Sequence, residues 1–239
     1  MKLGKNFGDN QITDLDTWFK YAPPMGGDKQ WKDGRSAMEL ARFLTQNYPN
    51  VPQVLSDVLT FFTSPSAIFT WAGEHETSFA KHGLGRGTGR NHDAILYNED
   101  IFVGIEAKAD EPFGDKNLGE EFELASNNKK NRIRGLASMI FGESVEYNKN
   151  LRYQLLTACG GTLLEAKERG IHNALVLILV FKKEGCYTHE NDLRNQQDLS
   201  TFIKATGARI SRNGCYAIPT SYGKENGINL YLKKIDIII

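Results

Sequence analysis

The chain has 239 residues, 40% of them hydrophobic, so it is long enough to bury a substantial core within one large domain. Lysine and arginine total 29, and aspartate and glutamate also total 29, which excludes a protein that attracts nucleic acid through its overall charge. Any contact with nucleic acid must therefore use local basic patches.

Cysteine use and the lack of long apolar segments lead us to expect a cytoplasmic protein without a membrane span. The cysteines Cys159, Cys186 and Cys215 form no CxxC pair, and their odd number argues against a disulfide framework, so we expect them to be packing residues. The N-terminal residues contain no apolar signal segment. The longest apolar run, 174–181, is far shorter than the roughly 18 residues that a membrane span needs.

Two helices are predicted in the N-terminal third of the chain. Residues 36–46 begin with Ser36 and Glu39, which have the spacing of a capping box, and continue with apolar residues at helical spacing. Residues 51–64 show the same apolar spacing, and Pro52 suits the first turn of a helix.

After a glycine-rich stretch at 83–91, which needs contacts from elsewhere to hold a regular conformation, the pattern becomes that of strands. Residues 92–98 and 101–109 are rich in β-branched, aromatic and other apolar residues, and the polar sequence Asn-Glu-Asp between them predicts a hairpin. Tyr97 is expected to pair with Ile101 across the hairpin.

The rest of the chain alternates helix and strand, and Pro112 and Gly114 end the second hairpin strand. A strand that is buried on both faces implies helices on both sides of its sheet. The order of elements predicts an α/β or α+β domain with a mixed central sheet flanked by helices. After a charged stretch, the pattern predicts a helix at 151–169 and a buried strand at 173–183. A second helix is predicted at 198–208 and a closing strand at 228–239.

The hairpin brings together residues that can carry chemistry. On a strand, Glu106 and Lys108 project from the same face, whereas they would diverge around a helix. Asp93, near the start of the partner strand, is predicted to fall opposite Ile105 or Glu106, depending on the register. Two carboxylates this close need positive charge between them, and a divalent cation would supply it.

The expected ion is Mg²⁺, for which Mn²⁺ can substitute, because both prefer hard oxygen ligands. The predicted ligands are the carboxylates of Asp93 and Glu106 and the backbone carbonyl of Ala107. Lys108 adds a positive charge that can orient an attacking water or stabilise the phosphorane. This arrangement favours metal-assisted hydrolysis of a phosphodiester bond.

The segment HDAILYNEDIFVGIEAKA, residues 92–109, resembles the hairpin of the PD-(D/E)xK nuclease superfamily, which has the restriction-endonuclease-like fold. Asp93 matches the acidic position on the first strand, and Glu106 and Lys108 match the ExK sequence on the second. The resemblance implies a magnesium-dependent endonuclease that acts on DNA, of the restriction or defence type. A homodimer would supply the two sites needed to cut both strands of a duplex. His92 stands where the superfamily often has proline.

The resemblance also implies roles outside the hairpin. An upstream helix often supplies another acid, for which Glu74 and Glu76 are the candidates, with Glu76 preferred. Gln154 matches the polar residue that a later helix turns toward the site. The predicted organisation is one domain made of an N-terminal helical segment, a nuclease-like core and a C-terminal extension of helix and strand, at 1–70, 71–185 and 186–239.

Basic residues near the hairpin are candidates for contacts with phosphate groups. Four of them lie in the run KKNRIRG, and two more lie in or beside the glycine-rich stretch. A run of this kind is more often a solvated face, so its role depends on the nuclease hypothesis. The predicted nucleic-acid contacts are Arg86, Arg90, Lys129, Lys130, Arg132 and Arg134.

Three alternatives bear on this hypothesis. A second Glu-Ala-Lys sequence at 165–167 falls in a predicted helix and is expected to form exposed surface. A zinc hydrolase would use His75, His82 and His92, but their spacing fits no short zinc motif. The third alternative is a restriction-like domain that binds nucleic acid or assembles with partners while its metal site stays idle.

Overall fold

All residues of β4 (Phe102–Lys108) are buried, so this strand lies in the interior of its sheet. The structure, a computed structural model, describes residues 1–6, 11–87, 89–142, 149–185 and 187–239, and Cys186 lies outside these ranges. The other strands are β1 (Lys2–Asn6), β2 (Ile68–Thr77), β3 (Arg90–Tyr97), β5 (Asn173–Lys182), β6 (Arg209–Ile210), β7 (Tyr216–Ile218) and β8 (Asn229–Ile238).

Within the described ranges these strands form one eight-stranded sheet in the order β1-β2-β3-β4-β5-β8-β7-β6. Strands β2, β3 and β4 form an antiparallel meander, whereas β5 and β8 run parallel to β4. The predicted mixed sheet and the predicted hairpin are therefore confirmed. In the hairpin Tyr97 pairs with Phe102, one residue beyond the predicted Ile101.

Helices cover both faces of the sheet, as the prediction of a mixed sheet flanked by helices requires. No helix in the described part of the chain is long and apolar enough to cross a membrane. The helices are α1 (Leu15–Tyr21), α2 (Ser36–Thr45), α3 (Gln53–Leu59), α4 (Leu118–Leu124), α5 (Asn127–Phe141), α6 (Tyr153–Glu168), α7 (His189–Thr206) and α8 (Ser221–Asn226).

The two faces of β5 belong to two separate hydrophobic cores. Leu175 and Leu177 pack with residues of α1, α2 and α3, while Val176 and Ile178 pack with residues of α5, α6 and α7. Alternate side chains of a strand point to opposite faces, so one continuous apolar run serves both cores. This arrangement makes three layers, with the sheet in the middle.

The first predicted helix is confirmed, but the capping box predicted at its start is not formed. Helix α2 begins at Ser36, and the residue before it, Arg35, occupies the cap position. Glu39 does not reach back to Ser36 as a capping box requires; its carboxylate accepts a hydrogen bond from the Gly34 backbone N–H at 2.7 Å. Pro52 likewise precedes the first turn of α3 instead of lying in it.

The predicted segment boundaries miss several elements. The N-terminal segment is not purely helical, since it supplies β1 and the start of β2. The charged stretch at 115–134 folds into α4 and half of α5, because single apolar residues such as Leu118 and Ile133 are buried among the charges. The C-terminal extension adds β6, β7 and α8 to the predicted helix and strand.

A layer of polar side chains lies between the sheet and α6, where two glycines leave space for it. A Cβ atom on Gly104 would lie 2.8 Å from His92 Nδ1, and one on Gly161 would lie 2.9 Å from His92 Nε2. His92 Nε2 lies 3.1 Å from Thr77 Oγ1. Burial holds the pKa of the His92 imidazole well below its ordinary value, so the ring is neutral.

The second Glu-Ala-Lys sequence lies in this layer, so the prediction that it forms exposed surface is wrong for its glutamate. Glu165 is 4% exposed; its carboxylate lies 3.2 Å from His75 Nε2 and also binds Arg169. Burial alone would raise its pKa, but these two partners lower it to about 2. The divergence expected in a helix does occur, because Lys167 is exposed. The glutamate is expected on an exposed helix face, but α6 is enclosed, and every one of its residues from 155 to 166 is buried.

Replacing Glu165 by glutamine should destabilise the protein by about 3–5 kcal/mol, the usual loss when one partner of a buried ion pair is removed. Lys167→Ala should change stability by no more than about 0.5 kcal/mol. The folded pKa of Glu165, about 2, lies below the ordinary 4.5, so the difference should persist above pH 4.5 and fade as the pH drops toward 2. Urea unfolding at several pH values measures both effects. Equal losses in the two variants would contradict the buried pair.

Candidate active site

Three acidic residues stand at one end of the β2-β3-β4 meander. Ala94 pairs with Ile105, which places Asp93 opposite Glu106, the second of the two predicted registers. Continuing the β2–β3 register places Glu74 opposite Asp93. The two hairpins therefore bring three carboxyl groups to one level of three neighbouring strands.

The backbone of Glu74 departs from a regular strand. Its φ of +48° is the only positive value at a non-glycine residue in the described ranges. In a regular strand, residues three apart face opposite sides of the sheet. Ala72 and His75 instead face the same side, because Ala72 belongs to the core under α6 and His75 contacts Glu165 of α6. The alternation is thus interrupted at Glu74. Such a conformation costs about 1–3 kcal/mol and is concentrated at functional sites.

Glu106 is a buried carboxylate that two cations of the same chain neutralise. Lys108 Nζ lies 2.8 Å from its Oε1 atom, and the Arg90 guanidinium binds Oε2. Glu106 is 4% exposed and Lys108 is 7% exposed. Burial lowers the pKa of Lys108, and the charge of Asp93 opposes that effect. An arginine side chain keeps its charge even when buried.

Asp93 is held by the strand that carries Glu106. Its Oδ2 atom accepts a hydrogen bond from the Ala107 backbone N–H at 2.6 Å. The N–H and C=O groups of one strand residue point toward the same neighbouring strand, so the Ala107 carbonyl also faces the Asp93 side. The three predicted metal-binding groups therefore lie at one place.

The proton affinity of Glu74 is strongly altered by its surroundings. Burial and then the charge of Asp93 raise its pKa from 4.5 to about 8, and a hydrogen bond from Asn91 Nδ2 only partly opposes them. Glu74 is therefore mostly protonated at neutral pH in the metal-free protein.

Gln154 lies where the resemblance implied, in the first turn of α6 and facing the site. It lines an open cleft of about 530 Å³ together with Asp93, Glu106, Ala107 and Lys108. The side-chain oxygen of Gln154 is buried and has no hydrogen-bond partner among the described residues. Leaving a buried acceptor without a partner costs free energy. A donor that reaches this oxygen from the cleft would therefore gain a favourable hydrogen bond.

Glu111, which is not among the predicted site residues, provides one wall of the cleft. Its carboxylate accepts hydrogen bonds from Ser36 Oγ at 3.0 Å and from the Ala109 N–H at 2.7 Å. Asn195 of α7 fastens the same loop, donating to the Glu111 carbonyl at 2.9 Å and accepting from the Phe113 N–H at 3.1 Å. The N-terminal segment and the C-terminal extension thus both support the site, through contacts that no local pattern signals.

The two candidates for the upstream acid occupy different places, and both lie on β2 instead of a helix. Glu74 lines the cleft with Asp93. Glu76 lines only an adjoining cleft of about 590 Å³, where its carboxylate accepts from the Gly89 N–H at 2.7 Å. The resemblance prefers Glu76, but the geometry favours Glu74. The two clefts share Met25, Glu74, Arg90, Asn91 and Gln154.

The glycine-rich stretch receives the outside contacts that its sequence requires. Asn128 of α5 accepts from the Arg86 N–H at 2.6 Å, and Arg132 donates to the Arg86 carbonyl at 2.7 Å and the Leu84 carbonyl at 3.3 Å. The Arg86 side chain is exposed. Two of the predicted nucleic-acid contacts therefore also organise this loop.

The remaining predicted phosphate contacts divide into three places. Arg90 lies inside the site on Glu106 and not on the outer surface where a loop cation would meet nucleic acid. Lys129 lines the adjoining cleft, as Arg132 does. Lys130 and Arg134 instead stack over the ring of Phe122, at 5.6 and 4.9 Å from its centre.

The histidines do not assemble a zinc site. His75 contacts Glu165, His92 contacts Thr77, and His82 Nε2 lies 3.1 Å from Glu168. Across the described residues, no group of three or more histidine, cysteine, aspartate or glutamate side chains is arranged to hold a metal ion.

The donor set at the cleft nevertheless suits Mg²⁺ or Mn²⁺. Mg²⁺ usually takes one or two carboxylates and completes its shell with waters and substrate phosphate, so a cage of three acids is not required. Asp93, Glu106 and the Ala107 carbonyl are hard oxygen donors on adjacent strands. The buried side-chain oxygen of Gln154 has no partner within the described residues, so it could accept a hydrogen bond from a water of the metal ion.

Glu74→Gln should make the metal-free protein less sensitive to pH. The folded pKa of Glu74, about 8, lies above the ordinary 4.5, so the stability that its protonated form contributes is complete below pH 4.5 and is lost as the pH rises toward 8. Glutamine cannot lose a proton. The variant should therefore gain stability relative to the parent protein between pH 5 and about 8, as measured by urea unfolding in chelator. Parallel curves for the two proteins would show that Glu74 has an ordinary pKa.

Comparison with known proteins places the whole site in one family. The family model described as "Domain of unknown function (DUF6946)" matches residues 11–237, a range that contains every residue of the cleft named above. No curated protein and no solved structure matches the chain. Because the match covers nearly the entire sequence, the chain belongs to the DUF6946 family.

Proposed function

We propose that the protein is a metal-dependent nuclease that hydrolyses phosphodiester bonds of DNA, as an endonuclease of the restriction or defence type. The observation that carries the proposal is the facing pair of Asp93 and Glu106, with Lys108 Nζ 2.8 Å from Glu106, in an open cleft. Paired carboxylates with a lysine beside them suit chemistry at a phosphate group, where charge must be both bound and stabilised.

The residues of the cleft have separate proposed roles. Asp93, Glu106 and the carbonyl of Ala107 would hold Mg²⁺ or Mn²⁺, which when bound supplies positive charge to the phosphate and makes a bound water more acidic. Lys108 orients the attacking water or stabilises the negative charge that develops on phosphorus oxygens. Gln154 offers its free oxygen as a hydrogen-bond acceptor, which suits a water molecule in the cleft.

The arrangement around the hairpin supports the proposal beyond the three residues of the motif. The helix that follows the hairpin, α6, turns Gln154 into the cleft and leads directly into β5, which pairs with the strand that carries Glu106. The adjoining cleft has Lys129 and Arg132 in its wall, where a substrate phosphate next to the scissile one would meet positive charge.

A second candidate function is a restriction-like domain that binds nucleic acid or assembles with partners without cutting. The contact between Arg90 and Glu106 favours it, because a cation of the chain already neutralises the predicted metal ligand. The two candidates differ in one outcome. A binding domain would bind DNA but leave it intact under every metal condition.

Lys108→Ala should reduce metal-dependent cleavage by about 10²- to 10³-fold, the usual loss for one electrostatic contributor to a transition state. Mn²⁺ binding should survive, because Lys108 is not a ligand. Glu106→Gln should lose Mn²⁺ binding and cleavage together. Cleavage of duplex and single-stranded DNA, with Mg²⁺ or Mn²⁺ at matched salt, and calorimetric Mn²⁺ titration provide the two readouts.

The matched control for this series is Lys167→Ala, in the second Glu-Ala-Lys sequence. Lys167 is exposed on α6, so this variant should cleave at the parental rate. A Lys108→Ala protein that cleaves as fast as the parent would contradict the proposed role of Lys108. A parent protein that binds DNA but cuts nothing would favour the binding domain.

Lys129 and Lys130 are adjacent on α5 but should differ in their effect on DNA binding. Lys129 lines the adjoining cleft, where its ammonium lies 2.6 Å from Glu121 and a phosphate would have to displace that carboxylate, whereas Lys130 stacks on Phe122. Lys129→Gln should lower the slope of log affinity against log salt by about 0.9 for duplex DNA, the value for one lost phosphate contact. Lys130→Gln should leave the slope unchanged. Equal changes in both variants would mean that the basic run acts as a diffuse charged surface.

A further inference from the structure

Two cations already match the charges of Asp93 and Glu106 before any metal enters, while Glu111 adds a further carboxylate to the wall of the cleft. Asp93 and Glu106 bring two negative charges, and Arg90 and Lys108 bring two positive charges within contact of Glu106. A divalent cation would add two positive charges to this group. Each oxygen of Glu106 already contacts a cation, Oε2 the Arg90 guanidinium and Oε1 the Lys108 ammonium, so a metal ion coordinated by Glu106 would be repelled by the guanidinium at close range.

Arg90 is built into the site and is not a surface side chain that happens to reach it. It lies on β3 three residues before Asp93, and its side chain is buried under α6 beside Gly161. A Cβ atom on Gly161 would lie 3.0 Å from Arg90 Cγ and 3.2 Å from Arg90 Cβ, so the missing side chain makes room for this path.

Arg90 also has unused capacity to bind an anion. Its Nε atom is buried without a hydrogen-bond partner in the described part of the chain, and the residue lines both the main cleft and the adjoining one. A guanidinium presents several donors in a planar fork that fits the oxygens of a phosphate group. Glu106 satisfies only part of that fork.

We propose that Arg90 is a movable counter-ion of the site: it neutralises Glu106 in the metal-free protein, and a DNA phosphate in the cleft draws it off, which frees Glu106 for the divalent cation. This inference rests on the proposed nuclease function. It adds that metal and DNA bind cooperatively because the phosphate replaces Glu106 as the partner of Arg90. The cost of leaving a buried guanidinium without an anion keeps Arg90 on Glu106 until a phosphate arrives.

The inference predicts a specific change when the guanidinium is removed. Thermodynamic linkage requires that DNA raise metal affinity by the same factor by which metal raises DNA affinity. In the parent protein a short phosphorothioate DNA duplex should tighten Mn²⁺ binding by about 5-fold or more, within the usual range of such coupling. In Arg90→Met, Mn²⁺ should bind more tightly without DNA, and the added effect of DNA should shrink.

The matched control is Arg169→Met, which removes the guanidinium from the glutamate of the second Glu-Ala-Lys sequence. Arg169 is somewhat more exposed than Arg90, and the two glutamates are equally buried, with side-chain exposures of 17% and 5% for Arg169 and Glu165 against 11% and 5% for Arg90 and Glu106. This variant should keep the parental Mn²⁺ affinity and the parental coupling. Arg90→Lys, which retains a charge, keeps the test available if the methionine variant does not fold; it should retain weak Mn²⁺ binding in the absence of DNA.

Isothermal titration of Mn²⁺ into each protein, with and without the duplex, separates the outcomes. Tighter Mn²⁺ binding by Arg90→Met without DNA, with reduced coupling, supports the counter-ion role. If the parent shows coupling and Arg90→Met shows the same affinity and the same coupling, Arg90 is structural and the inference is overturned while the nuclease proposal stands. If no protein binds Mn²⁺ even with DNA, the nuclease proposal fails and this inference fails with it.

Discussion

The need to neutralise the buried carboxylate of Glu106 organises the site and the layer beneath it. Glu106 sits on a strand whose residues are all buried, so its charge cannot be left to water. Lys108 approaches from the same strand, and Arg90 approaches from β3. The position of Arg90 in turn requires a residue without a side chain at position 161 of α6.

Buried polar residues continue away from the cleft, between the sheet and α6. Gly161 and Gly104 leave a gap between the sheet and α6, and His92 fills it with its ring hydrogen-bonded to Thr77. Further along the same helix, Glu165 is paired with His75 and Arg169. Each Glu-Ala-Lys sequence thus places its glutamate in one buried polar layer, although only the first opens into a cleft.

The strand-based part of the site could be predicted from the sequence because it depends on local patterns. Alternation of apolar residues identified the hairpin, and a period of two placed Glu106 and Lys108 on one face. The register to Asp93 could be limited to two choices because the turn is short. Gln154 followed from the resemblance, since a helix after the hairpin was already evident.

The rest could not be predicted because it depends on contacts between distant parts of the chain. Glu111 meets Ser36 and Asn195 across separations of 75 and 84 residues, and no periodicity marks such pairs. The burial of Glu165 depends on α6 being enclosed on nearly all sides, whereas its own sequence looks like an exposed helix face. The left-handed backbone of Glu74 also has no sequence marker, because glutamate is an unusual residue for that conformation.

The most direct test of a metal-dependent site with a movable counter-ion is a crystal structure with Mn²⁺ and DNA, using anomalous scattering to locate the metal. A manganese peak bounded by Asp93, Glu106 and the Ala107 carbonyl is expected, with the Arg90 guanidinium moved from Glu106 to a phosphate oxygen. Density for DNA in the cleft, with no manganese peak and with Arg90 still on Glu106, would contradict the account.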